Sequence, residues 1–127
     1  MFTYTYDSDY AGPALPIIEI TIFSLRNSNS IIRRALVDSG ADATMIALRD
    51  LNRLKARKVD TMRMRSVNGV SQPVDIYTVA LQIGSFELPR VYAVADRQNG
   101  EPIIGRDVLN QFIVTLNGLA SMVEISQ

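Results

Sequence analysis

From residue 16 onward, apolar and polar positions alternate in short runs. Ile18, Ile20 and Ile22 share one side of an extended chain and Glu19, Thr21 and Phe23 the other, which predicts a strand. Asn27-Ser28-Asn29-Ser30 is a turn. Residues 31–37 predict a second strand, apolar at both ends with Arg33 and Arg34 in the middle. The period then changes. Met45, Leu48, Leu51 and Leu54 recur at helical spacing, so 45–55 predicts a helix. The basic stretch 55–65 leads into a strand, and Asn68-Gly69 is a strong hairpin signal with arms over 62–67 and 70–77. Residues 74–83 alternate, turn at Gly84-Ser85 and return over 86–95. A polar loop, 96–101, precedes the apolar run Pro102-Ile103-Ile104-Gly105, and 106–111 predicts one or two helical turns. A last hairpin, 113–116 and 119–125, turns at Asn117-Gly118.

Many short strands, glycine turns and one or two short helices predict a mostly-β domain. Residues 1–15 predict an irregular arm, because Gly12-Pro13 opposes regular structure, and 16–127 form the domain. The order strand, turn, strand, loop, short helix occurs over 16–54 and again over 74–111, which predicts an approximate internal two-fold.

The chain of 127 residues is long enough for one core without covalent staples. It has no cysteine and no histidine, which removes disulfides, thiolate zinc sites, a cysteine nucleophile and a Ser–His–Asp triad. Any catalysis must use carboxylates, hydroxyls and backbone groups. The formal net charge is zero, so no global field favours nucleic acid or an anionic membrane. No stretch has the length of a membrane span, and no signal-peptide pattern is seen, so the expected setting is cytoplasmic.

The segment with chemical content is Ala35-Leu36-Val37-Asp38-Ser39-Gly40-Ala41-Asp42-Ala43-Thr44. An apolar strand delivers an aspartate into a Ser-Gly turn. Gly40 allows a tight turn that presents an N–H to the Asp38 carboxylate, and Ser39 adds a hydroxyl. Alone, Asp-Ser-Gly is more often an Asx-turn that caps a loop and does no chemistry.

Together with Ile103-Ile104-Gly105-Arg106-Asp107-Val108-Leu109 and the hairpin between, Leu36-Val37-Asp38-Ser39-Gly40-Ala41-Asp42 resembles the retroviral-type aspartic proteases, the retropepsins. The resemblance spans about residues 16–125. It implies a retropepsin-like closed β domain with an internal pseudo-two-fold. It implies that Asp38 is the catalytic aspartate, that Ser39 makes the cross-subunit hydroxyl contact, and that Gly40 bonds substrate backbone. Ala41 and Asp42 would line the cleft, Asp42 would pair with Arg106 beneath it as a buried pair, and Gly105 would permit close packing under the loop. Val67-Asn68-Gly69-Val70 would be the tip of a flap over the substrate. Glu101 and Ile103 would stand at the cleft wall, with Glu101 favouring a basic residue at one subsite or merely solvated. Ser39 in place of the commoner threonine, a flap tip with one glycine and a longer basic segment over 45–58 depart from the viral pattern.

The chain holds one Asp-Ser-Gly, and two close carboxylates sharing one proton are needed. The resemblance therefore implies a homodimer with Asp38 facing its symmetry mate, a polypeptide substrate, and no metal or cofactor. The last hairpin is the candidate interface. A dimerisation or peptide-binding module without catalysis is the alternative. Arg49, Arg53, Lys55, Arg57, Lys58, Arg63 and Arg65 are read as a solvated basic face rather than a nucleic-acid site. Tyr4, Tyr6 and Tyr10 are read as a frayed terminus or a dimer-packing arm rather than a binding arm, and Met45, Met62 and Met64 as core or flap-side packing rather than a ligand surface.

Overall fold

The computed structural model describes residues 1–127. Strand accounts for 54% of the chain and helix for 8%, which places it in the mostly-β class. The elements are β1 (Phe2–Thr5), β2 (Ile17–Phe23), β3 (Ser30–Val37), β4 (Met45–Ala47), α1 (Leu48–Arg53), β5 (Arg57–Arg65), β6 (Ser71–Ile83), β7 (Phe86–Asp96), β8 (Ile103–Ile104), α2 (Arg106–Leu109), β9 (Ile113–Asn117) and β10 (Met122–Ser126).

Seven strands form one sheet in the order β2-β3-β8-β4-β7-β6-β5, and β2 also pairs with β6. That extra pairing, Thr21↔Gln82 to Phe23↔Ala80, joins the sheet to itself. Six strands therefore make a closed ring, and β5 hangs outside it on the first half of β6. Closure removes two free edges and encloses the core. Ile18, Ile20, Ile22, Leu81 and Ile83 face inward there with Leu51 and Leu54 of the α1 segment. Every second residue of β2 is buried, as period-2 patterning requires.

The internal repeat is visible in the pairing. The hairpin β2–β3 passes its last strand to β8, in parallel, through Leu36↔Ile103 and Val37↔Ile104. The hairpin β6–β7 passes its last strand to β4, also in parallel, through Met45↔Val94 to Ala47↔Asp96. Each copy thus completes the other. β4 and β8 meet at Met45↔Ile103, where the approximate two-fold lies.

Two expectations are corrected. The helix expected over 45–55 starts at Leu48, because Met45–Ala47 are drawn into strand β4 by β7. The irregular arm contains β1, which pairs with β10 from Phe2↔Ile125 to Thr5↔Met122, and β9 completes a three-stranded sheet. Phe2 stacks edge-on against Phe86 at 5.3 Å and lies over the turn at Gly84. A side chain on Gly84 would sit 2.5 Å from that ring, and its φ of +60° suits glycine. The alternation Phe2-Thr3-Tyr4-Thr5-Tyr6 is itself a strand signal. Tyr4 packs on the core, and burial raises its pKa, with Glu19 adding to the rise. No helix is long and apolar enough to cross a membrane.

Candidate active site

β3 ends at Val37, and the chain enters a loop over 38–44 that is fastened on every side. The Leu36 N–H donates to the Pro102 carbonyl at 2.9 Å, and the Asp38 N–H to the Ile104 carbonyl at 3.0 Å. These bonds continue the β3–β8 ladder up to the carboxylate itself. At the far end of the loop the Val94 N–H donates to the Thr44 carbonyl at 2.9 Å. Beneath it, a Cβ on Gly105 would stand 2.7 Å from the Ala43 carbonyl carbon and oxygen and 2.9 Å from the Ala41 oxygen. No side chain fits there without moving backbone, so Gly105 lets the chain leaving β8 pass directly under the loop.

Within the loop, the Gly40 N–H donates to Asp38 Oδ1 at 2.9 Å. The other carboxylate oxygen accepts no bond within the chain. Asp38 is half-buried, while Ser39 and Gly40 are exposed. A carboxylate oriented in this way, with one oxygen held and one free at the surface of the loop, can take or give a proton through the free oxygen.

Arg106 closes the loop from below. Its backbone N–H donates to the Ala41 carbonyl at 2.9 Å, its Nη1 to the Ser39 carbonyl at 2.7 Å, and its Nη2 to Asp42 Oδ1. The Asp42–Arg106 pair is therefore formed within one chain. It is not buried as expected: the Asp42 side chain is 87% exposed and Arg106 42%. Asp42 sits on the outer side of the loop, where only Arg106 reaches it.

Two further residues support the loop and were not singled out from sequence. Thr44 is fully buried; its Oγ1 donates to Asp107 Oδ1 at 2.8 Å and its N–H to Asp107 Oδ2 at 3.2 Å. The Gly105 N–H donates to Thr44 Oγ1 at 3.2 Å. Asp107 thus ties α2 to the loop end with both oxygens. The signal lay in its place directly after Arg106, and in a threonine closing an otherwise small-residue loop.

A groove of about 560 Å³ runs between this loop and the hairpin β5–β6. Gly40, Ala41, Asp42 and Ala43 form one wall, and Val74, Ile76, Tyr92 and Val94 form much of the rest. Met45, Met62 and Met64 also line it, so these methionines are groove surface and not only packing. They face it because Met62 and Met64 pair with Val74 and Gln72 on one side of the hairpin.

The other expected substrate-binding residues stand outside the groove of the single chain. Val67, Asn68, Gly69 and Val70 form the exposed hairpin tip, and Gly69 has φ +83°. The Ser66 N–H bonds the Val70 carbonyl at 3.0 Å and the Val70 N–H bonds Asn68 Oδ1 at 3.0 Å, so the tip is a defined turn. Glu101 is exposed on the 96–101 loop, and Ile103 is half-buried between Leu36 and Met45. The base of the hairpin is tied elsewhere. Asp75 accepts Lys58 and Arg97 at 3.2 Å each, and the Lys58 bond above all, then Arg97, holds its carboxyl below the usual aspartate range.

Residues 27–111 match the family described as "gag-polyprotein putative aspartyl protease". No curated protein matches the chain. Among solved structures, a retropepsin-like aspartic protease from Rickettsia conorii is similar with a TM-score of 0.67 at 14% identity, covering 98% of this chain and 88% of that one. EIAV protease, solved with the inhibitor HBY-793, gives 0.59 at 22% identity over 80% of this chain and 91% of its own. The simian foamy virus protease gives 0.54 at 17%, over 74% and 91% respectively. These likenesses establish a retropepsin-like fold.

Proposed function

The chain belongs to the gag-polyprotein aspartyl protease family, and from that premise we propose that it is a homodimeric aspartic endopeptidase. The observation that carries the reading is the Asp38 carboxylate, fixed through Oδ1 by the Gly40 N–H and free at its other oxygen. One such group cannot both take a proton from water and protonate a carbonyl. A second Asp38, brought by a two-fold mate, completes the pair. Two carboxylates in contact share one proton because both cannot ionise. The ionised member takes a proton from a water between them while the protonated member donates to the scissile carbonyl oxygen. The tetrahedral diol that forms then collapses, with proton return to the leaving amine.

The remaining residues serve that step. Ser39 offers its hydroxyl to the mate, and Gly40 its carbonyl to substrate backbone. Ala41 and Asp42 with the methionine-lined groove hold flanking side chains. Such a groove selects bulky apolar residues, since burying one stabilises binding by about 1.5–3 kcal/mol. The tip Val67-Asn68-Gly69-Val70 closes over the substrate in the dimer, and Glu101 and Ile103 stand at the cleft wall. The expected interface, the last hairpin, narrows in this reading: β10 lies between β1 and β9 in the three-stranded sheet, so two copies join through the free edges of β1 and β9. A cysteine-free chain suits a reducing, cytoplasmic setting.

The test is cleavage of an unfolded protein between pH 4 and 7, with sedimentation in parallel. Wild type should cut, Asp38→Asn should not, and specific activity should fall on dilution as dimers dissociate. Full activity from monomers, or a folded dimer that binds peptides without cutting them, would overturn the assignment.

A further inference from the structure

Asn-Gly occurs three times in the chain, at 68–69, 99–100 and 117–118. All of these residues are exposed. The dipeptide carries both halves of a reaction: the asparagine Cγ is an electrophile, and the next backbone nitrogen a nucleophile. Glycine leaves that nitrogen uncrowded because it has no Cβ. Folding sorts the three copies by whether the two groups are free to meet.

At the tip of the β5–β6 hairpin, the Gly69 N–H donates to the Ser66 carbonyl at 2.9 Å, and Asn68 Oδ1 accepts the Val70 N–H at 3.0 Å. In the 96–101 loop, the Gly100 N–H donates to Asp96 Oδ2 at 3.0 Å, and Asn99 Oδ1 accepts the Arg49 N–H at 3.0 Å. Nucleophile and electrophile are tied in both places. In the turn after β9, Asn117 Oδ1 accepts the Ala120 N–H at 3.0 Å, but the Gly118 N–H donates to no group of the chain. Nothing lies within 4 Å of the place a Gly118 Cβ would take, so this turn has room to move. A tied N–H must leave its acceptor before its nitrogen can attack, which slows reaction by about fivefold per hydrogen bond.

The free copy sits at a sensitive place. Asn117↔Met122 is the last rung of the β9–β10 hairpin. Leu116 and Leu119 beside it are 49% and 103% exposed. We propose that Asn117-Gly118 is a self-modification site at which slow loss of ammonia loosens the dimer; the loosening rests on the homodimer reading. The Gly118 nitrogen gives up its proton and bonds to Asn117 Cγ, the Cγ–Nδ2 bond breaks, and ammonia leaves behind a five-membered imide. Water, the only other reactant, opens the ring at either carbonyl to give aspartate or isoaspartate. Both products add a negative charge at the end of β9. Isoaspartate also routes the main chain through its own Cβ and displaces the last rung. A charge and a displaced rung oppose burial of Leu116 and Leu119 against a second copy.

The test uses the full Asp38→Asn chain, in which self-cleavage does not interfere, aged in mildly alkaline buffer. Peptide mapping by mass spectrometry, with aspartate and isoaspartate peptides separated, should find conversion at Asn117 at least about fivefold faster than at Asn68 or Asn99. Gly118→Ala should fold normally, since its methyl meets nothing, and should resist conversion because that methyl crowds the attack. By sedimentation, the dimer dissociation constant should rise at least about tenfold in the aged chain and stay unchanged in Gly118→Ala aged beside it. Conversion as fast at Asn68 or Asn99, an equal rise in Gly118→Ala, or no rise at all after conversion would overturn the proposal. A chain that is monomeric before ageing would sink the homodimer instead, and the order of the three sites would still decide whether Asn117 is the one that reacts.

Discussion

Two arginine–aspartate pairs hold this molecule at different depths. Arg33 on β3 grips Asp50 of α1 with both prongs, Nε to Oδ2 at 2.9 Å and Nη2 to Oδ1 at 2.8 Å, and the Asp50 side chain is only 3% exposed. Arg106 reaches Asp42 with one prong across an open loop, and Asp42 is 87% exposed. The residue types are identical, and the environment separates them. Asp50 has no water to replace a lost partner, whereas Asp42 is hydrated whether or not Arg106 is present. The first pair is therefore a matter of folding, and the second of loop position.

The sharpest way to break this contrast is Arg33→Ala. It strands a buried carboxylate and should cost about 3–5 kcal/mol in denaturant unfolding. The reciprocal Asp50→Ala should cost less, because the freed guanidinium is one-third exposed and finds solvent. Equal losses from the two variants would contradict the account.

Gly105→Ala tests packing under the same loop that Arg106 serves. The added methyl meets backbone of Ala43 and Ala41, which cannot swing aside as a side chain would. Stability should fall by about 1–3 kcal/mol, and peptide cleavage should fall further than stability explains as the Asp38 loop lifts.

Arg106→Ala and Asp42→Asn then separate the exposed pair from its backbone bond. Asp42→Asn removes a surface ion pair and should change stability by about 1 kcal/mol or less. Arg106→Ala also releases the Ser39 carbonyl, adding about 1 kcal/mol. Its larger effect should be on turnover, read as a lower kcat at modest change in melting temperature. A loss as great as that from Arg33→Ala would show that dimer formation buries the pair.

The smallest effect expected is on pH. Asp75 has its pKa lowered by Lys58 and then Arg97, so its contribution is complete above the usual aspartate value and is lost only as pH falls through the lowered one. The protection of β5 amides against hydrogen exchange, corrected for the intrinsic pH dependence of exchange, should stay level from neutral pH to about pH 5 and fall only in stronger acid. A loss of protection near neutrality would place its origin in another group.

Much of this arrangement is legible in one dimension because it is local. Alternation of Ile18, Ile20 and Ile22 specifies a strand whatever surrounds it, and Asn68-Gly69 a hairpin, since side-chain direction and turn geometry follow from adjacent residues. The run Asp38-Ser39-Gly40 determines the bond from Gly40 to its own aspartate. Other features depend on what the chain meets after long excursions. Met45–Ala47 are strand only because β7 lies beside them. Phe2–Thr5 are ordered only because β10 returns 117 residues after Thr5 to pair with it as Met122. Arg33 and Asp50 look like two ordinary charges until folding buries one, and Asp42 and Arg106 look like a buried pair until folding leaves them in water. Dielectric surroundings are a property of the assembled molecule, so sequence selected the partners and tertiary structure decided what their attraction is worth.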